Sequence, residues 1–403
     1  MPLMMTAKSA AITALLSSSM ACATSPDALG RLDWGLHSAE SLHTSTAARV
    51  LQLAREAVAD GTQVHGVERL DLEHVLATDP RYQASIASVK QLRTLFYWAF
   101  CARTSDDHTL AASCLERLRA GLVNPEGWAT KYRSEGNPIN DLQLLTTFTA
   151  IDLVRAQLTD PDRTVIEGWL RQFVAAGDAH WRAKGPHDTS RINNHNTWRL
   201  AIRATVATML ADQAMIAETK RLIHQQVSDD LLAPPGWSPH SNCPQPNNLR
   251  VPNSCDPAPS PACTTNPVAP AYGGYDFRQR DALHYHVYNL EAFVHIAWFT
   301  PEMLEDSDRA AIKAALDFLR PYVLGETKHI EFCCTTVAFD IERRCAGAAN
   351  FQNAPWSPKG ARKVLLIGSA LFPGNTAWTR GLHSEGIDPV TKFVVALRMP
   401  GGA

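Results

Sequence analysis

Apolar residues recur at helical spacing through most of this chain, and that repeat constrains the fold more than any other feature. After residue 193, Trp198, Ala201, Ile202, Thr205, Val206, Met209 and Leu210 mark one face of a helix. The same period predicts helices over residues 44–59, 86–103, 108–121, 139–158, 162–182, 194–212, 215–231, 281–299, 304–320 and 360–371. Asp160-Pro161 and Thr300-Pro301 read as helix starts with proline in the first turn, and Gly121, Gly325 and Gly136-Asn137-Pro138 as helix ends. Strand signals are sparse, the best lying at 392–399. Helices joined by short loops predict an all-α fold of antiparallel helix pairs, stacked as a solenoid or closed as a toroid. No motif repeats at a fixed period, which favours an (α/α) barrel or incomplete toroid.

Residues 1–23 carry the marks of a secretory leader. Lys8 precedes a short apolar stretch of small residues, and Ala21-Cys22-Ala23 offers a cleavage site. No segment reaches the roughly 18 uninterrupted apolar residues of a membrane span, so a secreted or periplasmic protein is expected. Beyond Cys22 stand Cys101, Cys114, Cys243, Cys255, Cys263, Cys333, Cys334 and Cys345, an even set that suggests disulfides in an exported chain. Cys101 with Cys114, and a pairing within 243–263, are the local options. Their spacings do not form the paired C-x-x-C pattern of a structural zinc site.

Residues 24–403 are expected to form one domain. Within it, residues 233–275 are rich in Pro, Asn, Ser, Gly and Cys, and predict a stapled loop or lid between two helical halves. A net charge of −2 supplies no global basic field, so nucleic acid is not an expected partner, and a polyanion would need a local patch.

Three clusters could carry chemistry. Asn193, Asn194 and His195 fall at the start of a helix, where free N–H groups and the macrodipole favour negative charge. Asparagine is also an ordinary N-cap, and a lone histidine is more often a satisfied structural group. The second cluster runs from Arg278 to Tyr288. Read as one helix, it sets Asp281, Tyr285, Tyr288, Ala292 and His295 on one face, fed by Arg278 and Arg280. Such a face is also common packing, each hydroxyl finding a partner. His284 and His286 diverge on a helix, so no metal site is expected. The third cluster is a turn with Lys131, Arg133 and Asn137, equally readable as an Asn-Pro turn followed by a cap.

These clusters resemble one family. Asn193-Asn194-His195-Asn196-Thr197-Trp198 resembles the Asn-Asn-His-Ser-x-Trp motif of the alginate lyases with an α/α-barrel fold. Ala282-Leu283-His284-Tyr285-His286-Val287-Tyr288 resembles their Arg-Ala-Leu-x-Tyr-His-x-Tyr motif, and Gly136-Asn137-Pro138-Ile139-Asn140 their Gly-Asn-Pro-Ile-Asn turn. The resemblance covers roughly residues 90–375. Two departures mark a divergent branch of the polyuronate lyases. Asp281 stands at the position of the family arginine, with Arg280 one residue earlier, and Asn196 and Thr197 replace the serine and aromatic of the first motif.

The resemblance implies β-elimination on a β-1,4-linked polyuronate, alginate (polymannuronate) or glucuronan, leaving unsaturated uronate ends. Such a reaction removes the C5 proton beside a carboxylate and expels O4, so the carboxylate must be neutralised while a base and an acid act. The implied catalytic set is Asn194, His195, Tyr288 and Arg280, with His195 as base and Tyr288 as acid. For sugars whose proton and leaving oxygen share a side, Tyr288 could serve in both roles. Asn193, Trp198, Tyr285, Lys131, Arg133, Asn137 and Arg278 are the implied substrate-binding residues. No metal or organic cofactor is required, and a monomer is expected. The alternatives are a non-catalytic polysaccharide-binding protein and an inverting glycoside hydrolase on the same fold. The hydrolase needs two carboxylates across a cleft; Glu135, Asp141, Asp281 and Glu291 are available, but none stands in such a motif.

Overall fold

The helical windows translate into fourteen helices in the computed structural model, which describes residues 31–34, 45–232 except 74, 76, 186 and 187, 273–332 except 330, and 340, 342–343, 355–373, 375, 378 and 387–398. The leader, residues 233–272 with Cys243, Cys255 and Cys263, and the remaining Cys333, Cys334 and Cys345 lie outside the described residues. In chain order the helices are α1 (Ser45–Ala59), α2 (Pro80–Thr104), α3 (His108–Val123), α4 (Trp128–Lys131), α5 (Pro138–Asp141), α6 (Leu145–Leu153) and α7 (Asp160–Ala183). They continue with α8 (Asn194–Leu210), α9 (Gln213–Gln226), α10 (Tyr275–Arg280), α11 (Leu283–Phe299), α12 (Asp306–Val323), α13 (Ala361–Leu371) and α14 (Pro389–Arg398). The described residues contain no strand, and the fold is all-α.

Helix starts follow local chemistry. Thr159 and Asp162 form a reciprocal capping box at α7, with Pro161 in the first turn. Asp79, Asp107 and Asp212 cap α2, α3 and α9 through their side-chain oxygens. Contacts between helices then run in a closed sequence, from α1 to α2, α6, α8, α11, α13, α14 and back to α1. Outside this sequence α3 packs on α2, α7 and α9 on α8, and α12 on α11 and α13. Inward-facing aromatics fill the interior. Phe148 of α6 meets Trp169 and Phe173 of α7 edge-on at 5.5 and 5.0 Å. Burying each such side chain contributes roughly 1.5–3 kcal/mol. The Cys101–Cys114 disulfide, one of the two local pairings expected, staples α2 to α3 with Cα atoms 6.1 Å apart.

Five local expectations are corrected. Residues 392–399 are not a strand: Pro389 and the Asp388 cap, which accepts the N–H and hydroxyl of Thr391 at 3.1 and 2.7 Å, start α14 there, and Val395 is buried. The 139–158 window divides into α5, a 3-10 turn at Leu142–Leu144, α6 and a second 3-10 turn. Gly121 sits inside α3 because a Cβ there would come within 2.8 Å of Leu95, and Pro301 opens only a 3-10 turn ahead of α12. Asp281 is not on the Tyr285–Tyr288 helix. It ends α10 in the left-handed region (φ 53°), and its carbonyl accepts from Phe332 N–H (2.9 Å) and lies 3.1 Å from His329 Nε2.

Candidate active site

The site forms where α8 and α11 meet. The Trp198 and Tyr288 rings lie 5.5 Å apart, and seven residues farther along each helix Thr205 Oγ1 is 3.0 Å from His295 Nε2. Two contacts in equal register mean that the helices run parallel, so their N-terminal ends share one rim.

Asn193 begins that rim. Its side chain accepts the His195 N–H at 3.0 Å, capping α8 and turning His195 outward with about a quarter of its side chain exposed. Asn194 is buried, and its amide donates to Asp276 at 2.6 Å. Asp276 lies 3.7 Å from Arg280, whose guanidinium bonds Asp340 at 2.6 and 2.9 Å and stacks 4.1 Å above the Tyr285 ring. A chain of contacts from Asn194 through Asp276 to Arg280 thus ties the first cluster to the second. Burial works against the charge of Arg280, but Asp340, Tyr285 and Asp276 outweigh it and hold the group cationic.

Asn196 and Thr197 sit in a second buried network. Asn196 donates to Gln226 at 2.7 Å, and Gln226 donates to Thr197 at 2.9 Å and to Asp230 at 3.2 Å. Asp230 also accepts the Tyr275 N–H at 2.7 Å, and burial raises its carboxyl to about 7. Arg278 joins this network as a brace: its guanidinium donates to the carbonyls of Asp230 and Gly273 at 2.8 and 2.7 Å, with 3% of the residue exposed.

The outer wall is set by the turn of the third cluster. Gly136 holds φ 78°, and any Cβ would stand 2.1 Å from the Ala176 carbonyl, so only glycine lets the turn lie on α7. Asn137 caps α5 by accepting the Ile139 N–H (2.9 Å) and donates to Glu73 at 2.7 Å. The other carboxylate oxygen of Glu73 lies 3.4 Å from His195 Nε2. Lys131 pairs with Glu126, and the Arg133 guanidinium donates to the Tyr132 carbonyl at 3.1 Å. Of these three residues, Asn137 alone bonds into the His195 group.

Inside the ring of helices, next to Trp198, lies a cavity of about 260 Å³. Its wall includes Arg93, Gln143, Glu291, His295 and Lys363, with Lys363 ion-paired to Glu291. Burial first, and then the charges of Glu291, Glu73 and Tyr285, push the Tyr288 phenol well above its ordinary value. It therefore carries its proton at neutral pH. Burial likewise lowers His295 to about 3 and His286 to about 4, so both are neutral structural groups.

Glu73, Asp276, Asp340 and Lys363 are absent from the sequence reading, which named Glu291 only among the carboxylates open to a hydrolase. Asp276 stands four residues before Arg280, a helical ion-pair spacing that was readable. Glu73 lies in irregular chain, where no periodicity marks it. Among the described residues, no group of three or more His, Cys, Asp or Glu side chains has the geometry to hold a metal ion, and no helix is long and apolar enough to cross a membrane.

The sequence profile of the family described as alginate lyase matches residues 121–242 and 274–329, a range that contains both α8 and the start of α11. No curated protein matches the chain.

Proposed function

The chain is related to the alginate lyase family, and from that premise we propose that it is an exported lyase that cleaves β-1,4-linked polyuronate, alginate or glucuronan, by β-elimination. The family relationship supports a polysaccharide lyase; the substrate and the assignment of steps are inferred from the site. The observation that carries the reading is the meeting of the His195 helix end with Tyr288 through Trp198, beside a cavity that has cationic and amide groups in its wall.

The reaction needs a base at C5, an acid at O4 and donors for the carboxylate. His195, the partly exposed member of the first cluster, takes the C5 proton. The electron pair left on C5 forms the C4–C5 double bond as the C4–O4 bond breaks. Tyr288, held in its protonated form, gives its proton to the departing O4. Arg280 is engaged with two aspartates, so it supports Asn194 through Asp276 while amide protons and the α8 N-terminus meet the carboxylate. Lys363 and Arg93 in the cavity wall supply longer-range attraction for neighbouring uronates.

The test is incubation with polymannuronate, polyguluronate and polyglucuronate, read by ultraviolet absorbance of the new double bond conjugated to the carboxylate. A rise on one of them is the expected result. No rise on any of the three discards the reading.

A further inference from the structure

The turn at 136–140 grips a different part of the chain. Asn140 donates its amide to the Leu70 carbonyl at 2.7 Å and accepts the Leu72 N–H at 3.1 Å, while Asn137 donates to Glu73 at 2.7 Å. Two asparagines of one turn therefore hold residues 70–73 at three points. The turn is rigid, being capped onto α5 and pressed on α7 through Gly136. The held segment delivers the Glu73 carboxylate to within 3.4 Å of His195 Nε2.

We propose that Glu73 is a positioning residue for His195, with the 136–140 turn as its mount, so that the proton of the neutral imidazole resides on Nε2 and Nδ1 takes the substrate proton. The inference rests on the lyase reading for its role in turnover and on geometry alone for its effect on the ring. A carboxylate beside one imidazole nitrogen fixes that nitrogen as the N–H donor and orients the ring. It also stabilises the imidazolium that forms when the other nitrogen is protonated. In the elimination the C5 proton passes to Nδ1, the C4–C5 double bond forms, the C4–O4 bond breaks, and O4 takes the Tyr288 proton. Solvent then carries a proton from the imidazolium back to the phenolate, and the cycle closes with no other reactant. The carboxylate also helps to keep Tyr288 protonated. Among the described residues, the charged and titratable groups around the ring are Glu73, His180 and Lys184 at the end of α7, Asp188 ahead of α8, and Arg199 of α8. Glu73 is the one among them bonded to the turn.

The experiment is nitrogen-15 NMR of the imidazole, with steady-state kinetics, for the full chain and for Glu73→Gln, Glu73→Asp and Asn137→Ser. In the parent, the His195 signals should report the Nε2–H form. Glu73→Gln should shift the ring toward a tautomer mixture, lower its titration midpoint, and reduce kcat on the order of 10–100-fold with KM little changed. Glu73→Asp should restore part of both. Asn137→Ser keeps a cap for α5 but is too short to reach Glu73, and should move the ring in the same direction by less. Unchanged His195 signals in Glu73→Gln overturn the proposal whatever the activity. An undiminished kcat with altered signals overturns it too. Failure of the parent to act on any uronate polymer instead strikes the lyase reading, because the ring signals are read without substrate.

Discussion

Trp198 and Tyr288 meet ring to ring with centroids 5.5 Å apart, although ninety residues separate them in the chain. That contact joins the two motifs at one helix pair, and Trp198 also stands in the wall of the cavity.

Replacing Tyr288 by Phe removes one hydroxyl while leaving the ring contact with Trp198. Turnover should fall by ~10²–10⁴-fold, the range for loss of a general acid, with far-ultraviolet circular dichroism unchanged. His195→Ala should behave likewise. Near-parental rates in either variant would reject that residue's role.

Burial and three neighbouring groups raise the Tyr288 phenol above its ordinary value of 10.0. An acid with a raised pKa stays protonated farther into alkaline solution. The rate of the parent enzyme should therefore show no falling limb from this group below about pH 10. A descending limb centred near pH 8 that disappears in no other single-site variant would contradict this.

Asp340 is fully buried and its charge is met by Arg280 at 2.6 Å. Arg280→Ala would remove that countercharge from a buried carboxylate and loosen Asp276 as well. The expected loss is about 3–5 kcal/mol of folding stability, measured by denaturant unfolding, with Arg280→Lys recovering only part. A loss below about 1 kcal/mol would mean that water reaches Asp340 freely.

Asp230, raised to about 7 by burial, makes a signed contribution to the pH dependence of stability. Its folded value lies above the ordinary carboxyl value of 3.8, so the folded protein holds the proton more tightly than the unfolded chain. Its stabilisation is complete below the unfolded value and is lost as pH rises through the folded one. His286 and His295, depressed to about 4 and 3, oppose it below their ordinary value of 6.5. The contribution of Asp230 is therefore isolated by a variant. The stability gap between parent and Asp230→Asn should be larger at pH 6 than at pH 8, and a gap independent of pH would refute the assignment.

Gly136→Ala places a methyl against the Ala176 carbonyl at a positive φ. The strain and overlap together should cost about 2–4 kcal/mol. The Asn137–Glu73 bond should weaken with the turn, so activity should drop even below the melting temperature. Full activity and an unaltered melting curve would show that the turn relaxes without effect.

Much of this was legible in the amino acids. The Asn193 cap and the start of α8 follow from an asparagine before an apolar helical repeat, and those features are local. The Cys101–Cys114 pair is equally local. The break at Asp281 was not legible, because an aspartate in the left-handed region looks like any other residue in a continuous helical period. What fixes it there is the remote Phe332 N–H. Residues 392–399 read as a strand on their β-branched content, but a lone strand has no partner among these helices and a capped start was available. Glu73 and Asp340 owe their importance wholly to tertiary contacts, which no spacing in the chain encodes.

The shared direction of α8 and α11 has an outcome for how such a protein diversifies. The connections that lead into the two helices, 188–193 and 281–282, enter from the same end of a fixed helical floor. If the proposed function holds, exchanges at their exposed positions would recontour what a polyuronate meets while the Trp198–Tyr288 and Thr205–His295 contacts stay in place, so sugar preference could change on one scaffold.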